Sequence, residues 1–113
     1  MADRQKPIDP NKAVDYILAN AQLFAKAKAE RVYIEEYRKS KKALLMAQST
    51  AEAANAREQY AYSHPEYIAL LDGLKSAVEV EERLRWELMA AQIRVEVWRS
   101  QEATARAQDR ATQ

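Results

Sequence analysis

The C-terminal half of the chain carries apolar residues on two opposite sides of one predicted helix. One seam recurs every three or four residues and comprises Tyr67, Leu70, Leu74, Ala77, Leu84, Leu88, Ala91, Val95 and Trp98. At 100° per residue, a second set lies roughly 140–220° from the later part of that seam and comprises Trp86, Met89, Ile93 and Val97. A helix with one apolar face needs one partner, and a helix with two needs two. The pattern predicts that Trp86, Met89, Ile93 and Val97 form an oligomer interface.

One polar residue, Glu81, interrupts the first seam. Two interpretations fit this position. The carboxylate can reach solvent or pair with a nearby Lys or Arg, or it can be a buried charge that sets the alignment of packed helices at some cost in stability.

Three helix starts are marked by capping residues. Asp9 precedes Pro10, and the pairs Ser49/Glu52 and Ser63/Glu66 have the spacing of a capping box. They predict helices at about 10–47, 51–62 and 65–108, with flexible tails at 1–9 and 109–113. Gly73 is expected to lie inside an uninterrupted helix and to allow close helix approach, a kink or break being the alternative.

The first helix shows two apolar stripes. The first comprises Val14, Ile17, Leu18, Ala21, Phe24, Ala25 and Val32; the second comprises Ile34, Tyr37, Leu44 and Leu45. Either the two halves face different neighbours or the helix is kinked between them. The expected fold is therefore all-α: an elongated antiparallel hairpin of two long helices with a short connecting helix, which self-associates.

Composition and charge narrow the chemistry. The 18 basic and 17 acidic residues nearly balance, so no global field attracts nucleic acid or a membrane surface. Zero cysteines exclude disulfides and thiolate metal sites. The absence of cysteines fits a cytoplasmic location, which is expected, and no apolar run approaches the length of a membrane span.

Candidate sites are few. The only histidine, His64, is expected to face solvent in a turn, and the sequence predicts no catalytic, cofactor-binding or metal site. Arg38, Lys39, Lys41 and Lys42 follow two tyrosines and are candidate nucleic-acid contacts, because basic and aromatic side chains together can hold a single strand. The alternative is that Glu30, Glu35, Glu36 and the acidic third helix neutralise them.

Three segments carry a family resemblance: residues 29–46, residues 64–74, and residues 84–100 with their two tryptophans. Together they resemble small uncharacterised proteins from the early regions of tailed bacteriophages and prophages, often encoded near single-strand annealing or exonuclease genes. The resemblance covers about residues 12–108 and carries no catalytic residues.

The resemblance implies a non-enzymatic phage accessory protein in the host cytoplasm, acting as an adaptor or modulator of a recombination or replication protein. The alternatives are an oligomeric nucleic-acid-binding protein and an inhibitor of a host defence enzyme. DNA binding is expected to be weak, and no small-molecule substrate or membrane contact is expected.

Overall fold

The computed structural model describes residues 7–112, which form three α-helices. They are α1 (Pro10–Gln48), α2 (Ala54–Ser63) and α3 (Pro65–Thr112), and no strand occurs within residues 7–112. The all-α prediction is confirmed, and the two long helices pack together. α3 continues to Thr112 rather than ending near residue 108. Most of the predicted N-terminal tail lies outside the described residues.

The start of α1 follows the predicted cap. Asp9 Oδ1 accepts the backbone N–H of Asn11 at 2.9 Å, and the Asp9 carbonyl accepts that of Ala13. Pro10 occupies the first helical position, where its missing N–H would have had no partner in any case. Local sequence therefore determines this helix end.

The Ser49/Glu52 capping box does not form, so the predicted start at residue 51 is wrong. Ser49 Oγ accepts the N–H of Ala51 in a local turn, and Arg57 donates to the Ala51 and Glu52 carbonyls. These bonds hold the segment as a loop until α2 begins at Ala54, which has no side-chain cap.

The predicted Ser63/Glu66 capping box does not form either. Ser63 ends α2, and its hydroxyl donates to the Gln59 carbonyl of the preceding turn at 2.7 Å. His64 is extended, with φ −68° and ψ 135°, and its Nδ1 accepts the N–H of Glu66 at 3.1 Å. His64 was predicted to be a turn residue that faces solvent, but its side chain caps the N-terminus of α3.

We expect His64→Ala to destabilise the protein by about 0.5–2 kcal/mol, the usual cost of losing a side-chain N-cap. His64→Asn should retain most of the stability, because the amide oxygen can accept the same N–H. Ser63→Ala is the matched control and should cost little, since its hydroxyl donates only to the Gln59 and Tyr60 carbonyls of its own helix and caps no backbone N–H. Urea unfolding of the three variants measures the effect; a larger loss in Ser63→Ala than in His64→Ala would contradict it.

Gly73 lies within α3, and the helix runs through it without a break. A Cβ added at this position would have nothing within 4 Å. The prediction of an uninterrupted helix is confirmed. The prediction that Gly73 allows another helix to approach closely is wrong, because the position faces open space.

The described residues form two compact units. Unit 1 joins the start of α1, up to Phe24, to α3 from Leu84 onward. Its buried apolar residues are Ala13, Leu84 and Ala91, and its half-buried ones include Ile17, Phe24, Leu88, Val95 and Trp98. The α3 seam predicted for this part of the chain therefore faces the interior of unit 1.

Unit 2 runs from Ala25 to Arg83 and contains the rest of α1, all of α2 and the start of α3. Its core packs Leu45 of α1, Ala61 of α2 and Tyr67 of α3, with Met46 against them. Ion pairs join Arg31 to Glu81 and Lys41 to Glu66, so the pairing within this unit is antiparallel.

The predicted stripes of α1 are largely wrong. In unit 1 the exposed members are Val14, Leu18 and Ala21, and in unit 2 they are Ala25, Val32, Tyr37 and Leu44. Covered positions of α1 in unit 1 include Ile17 and Phe24, which belong to the predicted stripe, and Ala13 and Asn20, which do not. They recur every four or three residues, the spacing of the α3 seam they oppose. An alanine and an asparagine belong to this seam, and hydropathy alone does not mark them.

Candidate interaction surface

Trp86, Met89, Ile93 and Val97 form one exposed side of α3 in unit 1, hereafter the α3 face. Trp86 retains 62% of its accessible surface and Ile93 51%, while Met89 and Val97 retain 38% and 41%. Helical periodicity places them opposite Leu84 and Ala91, which are buried. The structure therefore brings the four predicted interface residues together, and nothing within residues 7–112 covers them.

The buried apolar core is small beside the exposed apolar surface. Among residues 7–112, seven hydrophobic residues are buried, four of them alanines, whereas seventeen large hydrophobic residues are exposed. Scattered exposed apolar residues are normal, but a contiguous row on a helix indicates an interaction site. The α3 face is such a row.

Polar groups flank the α3 face. Glu87 Oε2 accepts the Tyr16 hydroxyl at 2.5 Å, which ties α3 to α1 within unit 1. The Arg85 guanidinium lies 5.7 Å from the centre of the Phe24 ring. Arg94 and Glu96 are exposed on either side of the face. The sequence prediction identified the apolar residues but missed the Tyr16 contact, because helical periodicity does not report which residues meet across a hairpin.

An open depression of about 550 Å³ continues the α3 face toward the C-terminus. Its lining residues are Ile93, Glu96, Val97, Ser100, Gln101, Thr104, Ala105 and Gln108, all on α3. Because one helix supplies the whole lining, this is helix surface and not an enclosed ligand site. Beyond Val97, all the lining residues are uncharged and most of them are polar.

Glu81 makes a two-pronged ion pair with Arg31 in unit 2. Arg31 Nε lies 2.6 Å from Glu81 Oε2, and Arg31 Nη2 lies 2.9 Å from Oε1. Glu81 retains only 2% of its surface, and Arg31 also binds Glu35 at 3.1 Å. The hydrogen bond to Glu81 raises the pKa of Arg31 above its already high ordinary value. Glu81 is thus buried and paired with an arginine and does not reach solvent, while a role in setting the helix alignment stays a prediction.

The four basic candidates do not form one unpaired cationic surface. Lys39 pairs with Glu36 at 3.3 Å, Lys41 with Glu66 at 3.2 Å and Lys42 with Glu58 at 3.3 Å, while Arg38 is half-buried.

Lys42 also lies over an aromatic ring. Its Nζ is 4.7 Å from the centre of the Tyr62 ring, and Tyr62, followed by Glu58, raises the pKa of Lys42. Of the acids that pair with the basic run, Glu58 and Glu66 come from α2 and α3. Glu66 belongs to the third helix, whose acidic residues the alternative named, whereas Glu58 of α2 was not anticipated.

The described part of the chain shows little sign of a metal site, a charged ligand site or a membrane-crossing helix. Between residues 7 and 112, no group of three His, Cys, Asp or Glu side chains is placed to hold a metal ion. A second depression, of about 560 Å³, lies between the α1–α2 loop and α2, and no charged side chain lines it. Within the same range, no helix has the length and apolar character that crossing a bilayer requires.

Comparison with known proteins found no matching protein-family model, curated protein or solved structure.

Proposed function

We propose that this protein is a non-enzymatic helical adaptor that self-associates and acts through its helix surfaces. The exposed α3 face carries the proposal, because four large apolar side chains in one row lose contact with water only when another surface covers them. The small buried core adds to the argument, since covering this row would add apolar burial that the chain does not achieve alone.

The proposed partner of the assembled adaptor is a phage or host recombination or replication protein in the host cytoplasm. The family resemblance supports this class of partner. Exposed apolar residues outside the α3 face, such as Tyr33 and Leu44 on α1, are candidate contacts. A protein partner is favoured over DNA because Lys39, Lys41 and Lys42 are already engaged by carboxylates.

Light scattering coupled to gel filtration tests the proposed self-association. At micromolar concentration we expect a molar mass of at least twice the 13.0 kDa of one chain. Circular dichroism on the same sample should report high helicity. A helical species that stays at 13.0 kDa at every concentration would overturn self-association.

A further inference from the structure

We propose that the α3 face pairs with the α3 face of a second copy of this chain, antiparallel, about a two-fold axis near residues 91 and 92. This deepens the proposed function, because it rests on self-association and specifies its geometry. The face lies on the side of α3 away from the residues buried in unit 1, so a second α3 can approach without displacing α1.

Side-chain sizes favour the antiparallel arrangement. Three residues of the α3 face, Trp86, Ile93 and Val97, form with the neighbouring Ala90 a row that has the four-and-three spacing of a coiled-coil seam, and Met89 lies beside that row. In an antiparallel pair, Trp86 can lie opposite Val97 of the second copy, and Ile93 opposite Ala90. The two-fold axis repeats both contacts. Each layer then joins a large side chain to a smaller one, whereas a parallel pair would stack Trp86 on Trp86.

Charge complementarity selects the same register. Glu87 and Arg94 each follow a seam residue by one position, so they lie on the same edge of the α3 face. In an antiparallel pair, the edge of one α3 face meets the same edge of the other. The alignment of Trp86 with Val97 of the second copy then places Glu87 beside Arg94 of that copy. Symmetry produces this ion pair twice. In a parallel pair each edge meets the opposite edge, and neither ion pair forms.

The existing contact of Glu87 is compatible with this pairing. Its Oε2 accepts the Tyr16 hydroxyl. An ionised carboxylate has two oxygens and about four acceptor sites, so it can accept Arg94 of a second copy as well. Tyr16 would orient the carboxylate for that contact.

Charge reversal with mixing tests the pairing. Glu87→Arg and Arg94→Glu each replace two attractive contacts by two repulsive ones, so each variant alone should self-associate roughly tenfold more weakly than the wild type or worse. An equimolar mixture of the two variants restores both attractive contacts in the heterodimer. We expect the mixture to regain the wild-type affinity, measured by sedimentation velocity or light scattering over a dilution series.

Glu102→Arg and Arg106→Glu are the matched controls. Both residues are exposed on α3, on the side away from the α3 face, and the changes in charge are the same. They should leave self-association unchanged. If the wild type forms a dimer but reversal of Glu87 or Arg94 has no effect, or mixing restores nothing, the antiparallel register is wrong while self-association stands. A monomeric wild type would instead overturn the proposed function on which the register rests.

Discussion

Arg31→Met is expected to lower the melting temperature by roughly 10 °C or more. Glu81 is almost fully buried, and Arg31 donates to both of its carboxylate oxygens. Removing the guanidinium takes both of these charge-assisted hydrogen bonds away from a buried carboxylate, and breaking a buried ion pair by deleting one partner is strongly destabilising. Thermal unfolding followed by circular dichroism measures the loss.

The double variant Arg31→Met/Glu81→Leu distinguishes the buried charge from general damage to the helix pair. With both charges replaced by apolar side chains of similar size, the position continues the apolar seam of α3, and we expect stability near that of the wild type.

Glu35→Ala is the control for this pair. It removes only the more exposed acid that Arg31 binds, and it should change the melting temperature little. A melting temperature within about 2 °C of the wild type for Arg31→Met alone would show that the pair is solvated in solution.

Trp86→Asp is expected to weaken self-association by at least about 100-fold. Trp86 is the largest side chain of the α3 face and appears twice in a two-fold pair. A carboxylate in its place would have to be desolvated at an apolar contact without a partner. The molar mass at micromolar concentration should fall to the 13.0 kDa of one chain.

The fold of the Trp86→Asp variant should persist, because the side chain is 62% exposed and contributes little to the core of unit 1. Far-ultraviolet circular dichroism checks this. Tyr33→Asp is the matched control: Tyr33 is also an exposed aromatic residue, but it lies on α1. A dimer that survives Trp86→Asp and is lost in Tyr33→Asp would place the interface elsewhere.

Helical periodicity predicted the α3 seam and the α3 face correctly, because each is a set of apolar residues that recurs along the helix. The α3 seam and the α3 face each contain several residues at helical spacing, so one ambiguous residue does not change the interpretation. The helix ends were harder. Asp9 capped α1 as expected, but Ser63 bonded back into its own helix and His64 capped α3. A cap depends on backbone angles and on competing local hydrogen bonds, which residue spacing does not specify.

The seam of α1 was predicted only in part, for a different reason. Val14 and Leu18 are large and apolar but exposed, while Ala13 is buried. Which side of α1 packs inward depends on the α3 residues that it opposes, and those lie far away in sequence. Which residues of α1 are exposed is therefore decided by the packing of α1 against α3 and not by the hydropathy of α1 alone.

By itself, the sequence determined that this chain is helical, where its long helices begin and which side of α3 remains uncovered, because these properties depend on local propensity and periodicity. Only the tertiary structure decided that Glu81 pairs with Arg31, that Glu58 and Glu66 neutralise the basic run, and which stripe of α1 is buried. These outcomes depend on the register between segments some 16 to 50 residues apart. No local pattern encodes that register, since it follows from how the whole of one helix packs against the other.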